Sequence, residues 1–360
     1  MLFHQDRLCT ANELPCLDAF IERPDLGFQG GKFLESRNRN RDRRRYSGAG
    51  RWVTIGKGRC IYIREEGLRQ NGASRPTVLF ESGIGATSLN WRQVQQAVSQ
   101  FAATASYDRI GMGFSSPSRT ARTPVNIARE LHDLLEEAGV KPPYVLVGHS
   151  FGGLVMRRYA LLFPKEVAGV VLVDPMRCED WPPLDPSKQA QIELGKRLIR
   201  YATPFAFCGV TRLAVTSAFR HAGKMKGRFS TPAKQGGRHV IGRITHEVRK
   251  MPREVWPVVA AHWSRPGFYA GMRSHIESIP DTVREMHIAE PIRDIPITVL
   301  TPEKSKPLSE TCLNQIGDNV RQVIAHASEH WIHLDEPELV VNSIQTMVTN
   351  ATAAKLAATV

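Results

Sequence analysis

The strongest chemical signal in this chain is a serine with glycine two residues away on either side, Gly148-His149-Ser150-Phe151-Gly152. A serine hydroxyl can attack a carbonyl only where the backbone presents it and a base can take its proton. A strand turning sharply into a helix presents the central serine in a strained conformation, and small residues two before and two after it let the backbones pass. The surroundings fit such a nucleophile elbow, because the β-forming run 144–147 precedes it and a helical apolar periodicity over 154–163 follows.

Other reactive residues close apolar runs. Asp174 ends the run 167–173, Asp108 and Arg109 follow 102–107, and Ser328, Glu329 and His330 follow 320–325. The six cysteines are scattered with no Cys-x-x-Cys pair, which argues against a metal site and against a disulfide framework. Free thiols are expected, with no metal or organic cofactor.

The elements that must position these residues can be read in order. Residues 52–55 and 59–64 alternate apolar and polar around a glycine turn, the pattern of an antiparallel hairpin. A β-rich run over 77–81 ends in Ser82-Gly83-Ile84-Gly85, and a helix over 91–101 carries Val94 and Val98 on one face. The helix predicted over 124–138 has Thr123 as its cap, Pro124 in its first turn, an inner stripe of Ile127, Leu131 and Leu134, and Gly139 at its end. The run 167–173 is continuously apolar, as in a strand buried on both faces of a parallel sheet.

Strands alternating with helices over 77–174 predict a parallel sheet with right-handed crossovers. The alternation stops over 176–290, where helical periodicity and frequent prolines predict an inserted helical cap. Strand runs resume over 295–300 and 320–325, and 338–348 predicts a final amphipathic helix. The expected organisation is a basic disordered arm (1–50), a core (51–175), a basic cap (176–290), the rest of the core (291–350) and a tail (351–360).

Composition bounds the function classes. An apolar share of 42% with 23% charged residues in 360 residues is ordinary for a globular protein with one core and an insertion. No apolar run approaches the roughly 18 residues of a membrane helix. Asp6, Arg7, Asn12 and Glu13 interrupt the apolar residues of the N-terminus, which therefore lacks the core of a secretory signal, and a cytoplasmic location is expected. Net charge is +13, and no acidic residue falls between Glu193 and Glu247, where Lys196, Arg197, Arg200, Arg212 and others do. Such a field draws an anionic substrate, an acidic membrane surface or nucleic acid. The arm holding Arg37, Arg39, Arg41, Arg43, Arg44 and Arg45 has no interleaved aromatics for base stacking, which disfavours nucleic acid.

From about residue 52 to 348 the chain resembles the α/β-hydrolase superfamily, in the branch of small serine esterases and lipases with a cap after the sixth strand. Four motifs carry the resemblance in order: SGIG at 82–85, YDRIGMGFS at 107–115, GHSFGG at 148–153 and SEHWIHLDEP at 328–337. It implies a mostly parallel central sheet flanked by helices, no cofactor, and cleavage of a carboxylic ester in a small-molecule acyl substrate. Ser150 would be the nucleophile and His330 its base, with His333 the weaker competitor. The backbone amides of Ile84 and Phe151 would form the oxyanion hole.

The third triad member departs from the family pattern. An aspartate is usual in the turn after the strand at 295–300, but Ser305 stands there. Asp174 and Glu303 are the substitutes, and both keep the order Ser, acid, His. Asp174 is favoured because a strand end fixes a carboxylate more firmly than a turn rich in Lys and Pro. The resemblance makes Asp108 and Arg109 a structural ion pair beside the site. Thioesters, lactones and carbon–carbon bonds of anionic substrates use the same machinery, so these stay open, as does a non-catalytic binding member of the fold. Epoxide hydrolases and haloalkane dehalogenases carry an aspartate at the elbow, and Ser150 argues against both.

Overall fold

The computed structural model describes residues 29–48, 50–67, 75–177, 186–224 and 248–357. Most of the basic tract beyond 224, and residues 1–28 of the expected arm, lie outside these. A helix α1 (Gln29–Tyr46) precedes the hairpin β1 (Arg51–Ile55) and β2 (Arg59–Glu66). Then come β3 (Thr77–Glu81), α2 (Arg92–Val98), β4 (Thr104–Tyr107), α3 (Pro124–Ala138), β5 (Tyr144–His149), α4 (Phe151–Leu162) and β6 (Val167–Val173). Between β6 and the next strand lie the helices α5 (Pro186–Phe207), α6 (Val210–Lys224), α7 (Trp256–Trp263), α8 (Pro266–Glu277) and α9 (Ile279–His287). The chain closes with β7 (Ile297–Pro302), α10 (Glu310–Ile316), β8 (Val320–Ala325) and α11 (Pro337–Ala357).

The strands form one eight-stranded sheet in the order β1-β2-β4-β3-β5-β6-β7-β8. Only the pairings of β1 with β2 and of β2 with β4 are antiparallel. From β4 onward every strand runs the same way. Alternate residues of β5 serve opposite faces: Tyr144 and Leu146 pack with Leu131 and Leu134 of α3, whereas Val145 and Val147 pack with Val94 of α2 and Ile344 of α11. Burial on both sides is why this strand reads as an unbroken apolar run, and each such side chain contributes about 1.5–3 kcal/mol.

Three expectations differ from the structure. Residues 29–46 form a helix rather than a disordered arm, although that helix has no apolar stripe of its own. It is held from outside, by Arg212 of α6 donating to Asp42 at 2.7 Å and by the Arg43 guanidinium lying 5.3 Å from the centre of the Trp52 ring. The last helix runs to Ala357, through part of the expected tail. Thr123 does stand at the start of α3, but its side chain makes no cap and its hydroxyl is buried without a partner among the described residues. No helix among those residues is long and apolar enough to cross a membrane.

Candidate active site

The elbow is built as its residue pattern requires. Ser150 sits between β5 and α4 at φ 54 and ψ −120, a region that a non-glycine residue occupies at a cost of about 1–3 kcal/mol. Its surroundings hold it there: its N–H donates to Val173 O at 3.1 Å, and its carbonyl accepts from Gly153 and Met176 N–H at 3.0 Å each. A Cβ on Gly148 would meet Gly152 O at 2.5 Å, and one on Gly152 would meet Glu81 O at 2.5 Å. Both contacts are with backbone oxygens, so no side chain can swing aside. Gly152→Ala should therefore destabilise the fold by about 3 kcal/mol in urea unfolding. A variant as stable as the parent would disprove the close packing.

Parallel pairing sets the next residue. His149 is opposite Val173 in the β5–β6 register, so Ser150 and Asp174 leave adjacent strand ends side by side. Asp174 also has positive φ, 39, and its N–H donates to Leu300 O at 2.8 Å. His330 Nδ1 lies 2.7 Å from Asp174 Oδ2, with the carboxylate side chain 13% exposed and the imidazole 41% exposed. A sheltered carboxylate that holds Nδ1–H leaves Nε2 of the same ring to take a proton. Glu303, the other candidate acid, instead faces His326 Nδ1 at 3.1 Å in a solvent-exposed pair. Its neighbour Lys304 meets Glu329 at 2.9 Å. The structure thus brings His330 to Asp174 and leaves Glu303 on a different histidine.

The turn after β3 carries Ile84, and α4 begins at Phe151. Among the described residues neither of their amide hydrogens has an intramolecular acceptor. Arg109 fixes this region: its guanidinium donates to Gly83 O, meets Glu81 at 3.4 Å and lies 5.4 Å from the centre of the Phe151 ring. This corrects the expected Asp108–Arg109 ion pair. Asp108 instead accepts from Ser88 N–H at 3.0 Å and from Phe114 N–H at 2.9 Å, while Tyr107 O–H donates to Glu81. Burial pushes the Glu81 carboxyl up and Arg109 pulls it back; burial likewise lowers Arg109 while Glu81 raises it. A buried pair of this kind is weak evidence for stability, and its visible effect here is to hold the Gly83 carbonyl.

His149 was not singled out from sequence. Burial, reinforced by His333 and His330, holds its imidazole well below the usual range, so the ring is neutral. A carbonyl can only accept, so the hydrogen must sit on Nε2, which donates to His330 O at 2.9 Å. The residue before the serine thereby anchors the backbone of His330. The available signal was a polar residue closing an otherwise apolar, fully buried strand. His333 is buried between Trp91 and His149, with ring centres 4.5 Å away in both cases, and neither nitrogen has a partner among the described residues. It does not face a carboxylate as His330 does.

Burial first, then His330 and Lys250, pushes His333 down from 6.5 to about 3. Its folded-state value is depressed, so the unfolded chain binds an extra proton between those limits. Stability is lost as pH falls through that window, by about 1.4 kcal/mol per pH unit for this group. Glu81 and Asp108, whose carboxyls are raised by burial, act with the opposite sign, so the useful quantity is a difference. From pH 6.5 to about 5, His333→Gln should lose about 2 kcal/mol less unfolding free energy than the parent. Equal losses would show that His333 titrates normally.

The inserted helices reach this region. His275 of α8 is fully buried with its ring edge against Phe151, centres 5.3 Å apart. Burial, then Arg109 and Arg122, holds its imidazole well below the usual range. No group of three or more His, Cys, Asp or Glu able to hold a metal is present among the described residues. Cys60, Cys208 and Cys312 are free thiols, while Cys9, Cys16 and Cys178 lie outside the described residues.

Residues 76–224 match the family model of the alpha/beta hydrolase fold. The uncharacterized protein YqjL of Bacillus subtilis (strain 168) is 37% identical over 106 residues, 29% of this chain and 42% of that protein. An AB hydrolase superfamily protein of Gibberella zeae is 30% identical over 112 residues, 31% of this chain and 35% of its own length. The chain therefore spans less than half the length of these curated relatives. The epoxide hydrolase CorEH superposes with a TM-score of 0.63 at 15% identity, covering 84% of this chain and 98% of that one, a likeness of fold. With this strand order, this elbow and the family match from β3 to α6, the chain has the α/β-hydrolase fold.

Proposed function

We propose that the protein is a serine hydrolase that cleaves a carboxylic ester, or a related acyl compound, through an acyl-enzyme. Ser150 Oγ attacks the carbonyl carbon while His330 Nε2 takes its proton, and the amide hydrogens of Ile84 and Phe151 receive the developing oxyanion. His330 returns the proton to the leaving alcohol. Water, deprotonated by the same imidazole, then attacks the acyl carbon and releases the acid and the serine. Asp174 holds the ring by Nδ1 and stabilises the imidazolium that forms between these steps.

The observation that carries this reading is the 2.7 Å contact of His330 with Asp174, on the strand end next to a serine held at φ 54. A base oriented by a carboxylate beside a strained nucleophile suits proton transfer and little else. The serine also separates the chain from hydrolases whose elbow nucleophile is an aspartate, whatever their fold similarity. The direct test is reaction with a fluorophosphonate probe, followed by mass mapping, alongside turnover of a short-chain aryl ester. Stoichiometric labelling at Ser150 with ester turnover is expected. Absence of both would overturn the proposal, and labelling without ester turnover would move it to thioesters, lactones or carbon–carbon bonds.

A further inference from the structure

A cavity of about 70 Å³ lies between α1, the loop after β4 and the junction of α7 with α8. None of the Ser150, Asp174, His330, Ile84 or Phe151 set lines it. Three guanidinium side chains do: Arg39 and Arg43, one helical turn apart on α1, and Arg265 at the start of α8. Two of them are clamped in place. Arg265 donates to Gly113 O at 2.5 Å and lies 5.7 Å from the centre of the Phe114 ring, and Arg43 covers the Trp52 ring.

Two carboxylates act on Arg265 from nearby. They are Asp42, which also serves Arg212 at 2.7 Å, and Asp108, which accepts from Ser88 and Phe114. Burial first, then Arg43 and Arg39, pushes Arg265 down to about 10. Two residues lining the cavity also hold buried nitrogens without a partner among the described residues. His262 is 2% exposed and lines the cavity, yet neither ring nitrogen has a partner among the described residues. Arg39 Nε is buried in the same condition. Burial and Arg265 push His262 down to about 3, so its ring is neutral and still carries one N–H to donate.

We propose that this cavity binds the phosphate group of a monoester, held by Arg39, Arg43 and Arg265 with His262 as a further N–H donor. A tetrahedral dianion is drawn by three guanidiniums that line one cavity and has an acceptor oxygen for each. The space is several times what one water needs, which suits a phosphate-sized group. Binding ties α1 to the inserted helices, and α8 is the helix whose His275 meets Phe151 beside the elbow. An arginine-rich helix without an apolar stripe thus has a reason to be folded against the core.

The test is titration calorimetry of the full chain with inorganic phosphate, against chloride at equal ionic strength, repeated in Ser150→Ala so that the outcome is independent of any hydrolase activity. One saturable site is expected. Arg39→Gln should weaken it about tenfold or more, whereas Arg45→Gln, outside the cavity, should not. Because Arg39 is partly exposed, its removal should leave the unfolding midpoint without phosphate unchanged; His262→Gln supplies a second variant. Glycerol 3-phosphate and vesicles carrying phosphatidic acid separate the sources. Arg39-dependent binding of the soluble ester alone assigns a small metabolite, and Arg39-dependent sedimentation with vesicles assigns a lipid headgroup. No saturable phosphate binding, or the same affinity in Arg39→Gln, overturns the proposal.

Discussion

Ser150→Ala should lower kcat for an aryl ester by about 10⁶-fold, the loss seen when a serine protease is deprived of its nucleophile. Alanine keeps the Cβ, so the fit beside Gly83, where a Cβ would stand 3.4 Å from that of Ser150, is undisturbed. The strained φ is also borne by the surrounding hydrogen bonds and not by the hydroxyl, which makes none of them. A folded, inactive protein is therefore the expected result, checked by an unchanged thermal midpoint beside single-turnover kinetics. Ser150→Ala with turnover near the parent's would mean that another group attacks the ester.

Asp174→Asn should cost on the order of 10⁴ in kcat, because an amide facing Nδ1 favours the wrong imidazole tautomer. Asparagine tolerates positive φ about as well as aspartate, so the backbone at φ 39 should hold and the loss will report chemistry. Glu303→Gln supplies the contrast. Its carboxylate pairs with His326 in solvent, so kcat/KM should stay within about twofold of the parent, as for most surface substitutions. A large loss in Glu303→Gln with an active Asp174→Asn would reverse the assignment of the acid.

Much of this was legible in sequence, for identifiable reasons. Strands β3, β5 and β6 are buried on both faces and so announce themselves as apolar runs. The elbow shows because its glycines answer a steric demand that no other residue meets. Helix α1 does not show, because what holds it is a guanidinium on Trp52 and an ion pair to Arg212, neither of which leaves a periodicity. The partner of Arg109 is hidden for a related reason. Adjacent residues after a strand point apart, and Arg109 reaches across the sheet to Glu81, whose place at the end of a buried strand was the available clue. Asp174 and Glu303 could be ranked but not separated, since only the fold reveals that His326 occupies one and His330 the other.

The stitching of the strand ends has a metrical consequence. Ser150 N–H bonds to Val173 O, and Asp174 N–H bonds to Leu300 O, so β5, β6 and β7 end in one laced row. Neighbouring strands in such a row stand about 4.8 Å apart, a spacing set by backbone hydrogen bonds and not by side chains. The sheet is thus a ruler. Ser150 and Asp174 are one graduation apart, and the loop after β8 must lean back over two, about 10 Å, for His330 to meet Asp174. Point substitutions on the surface leave those graduations untouched. The reach of that loop, residues 326–331, is a dimension that insertion or deletion there would alter.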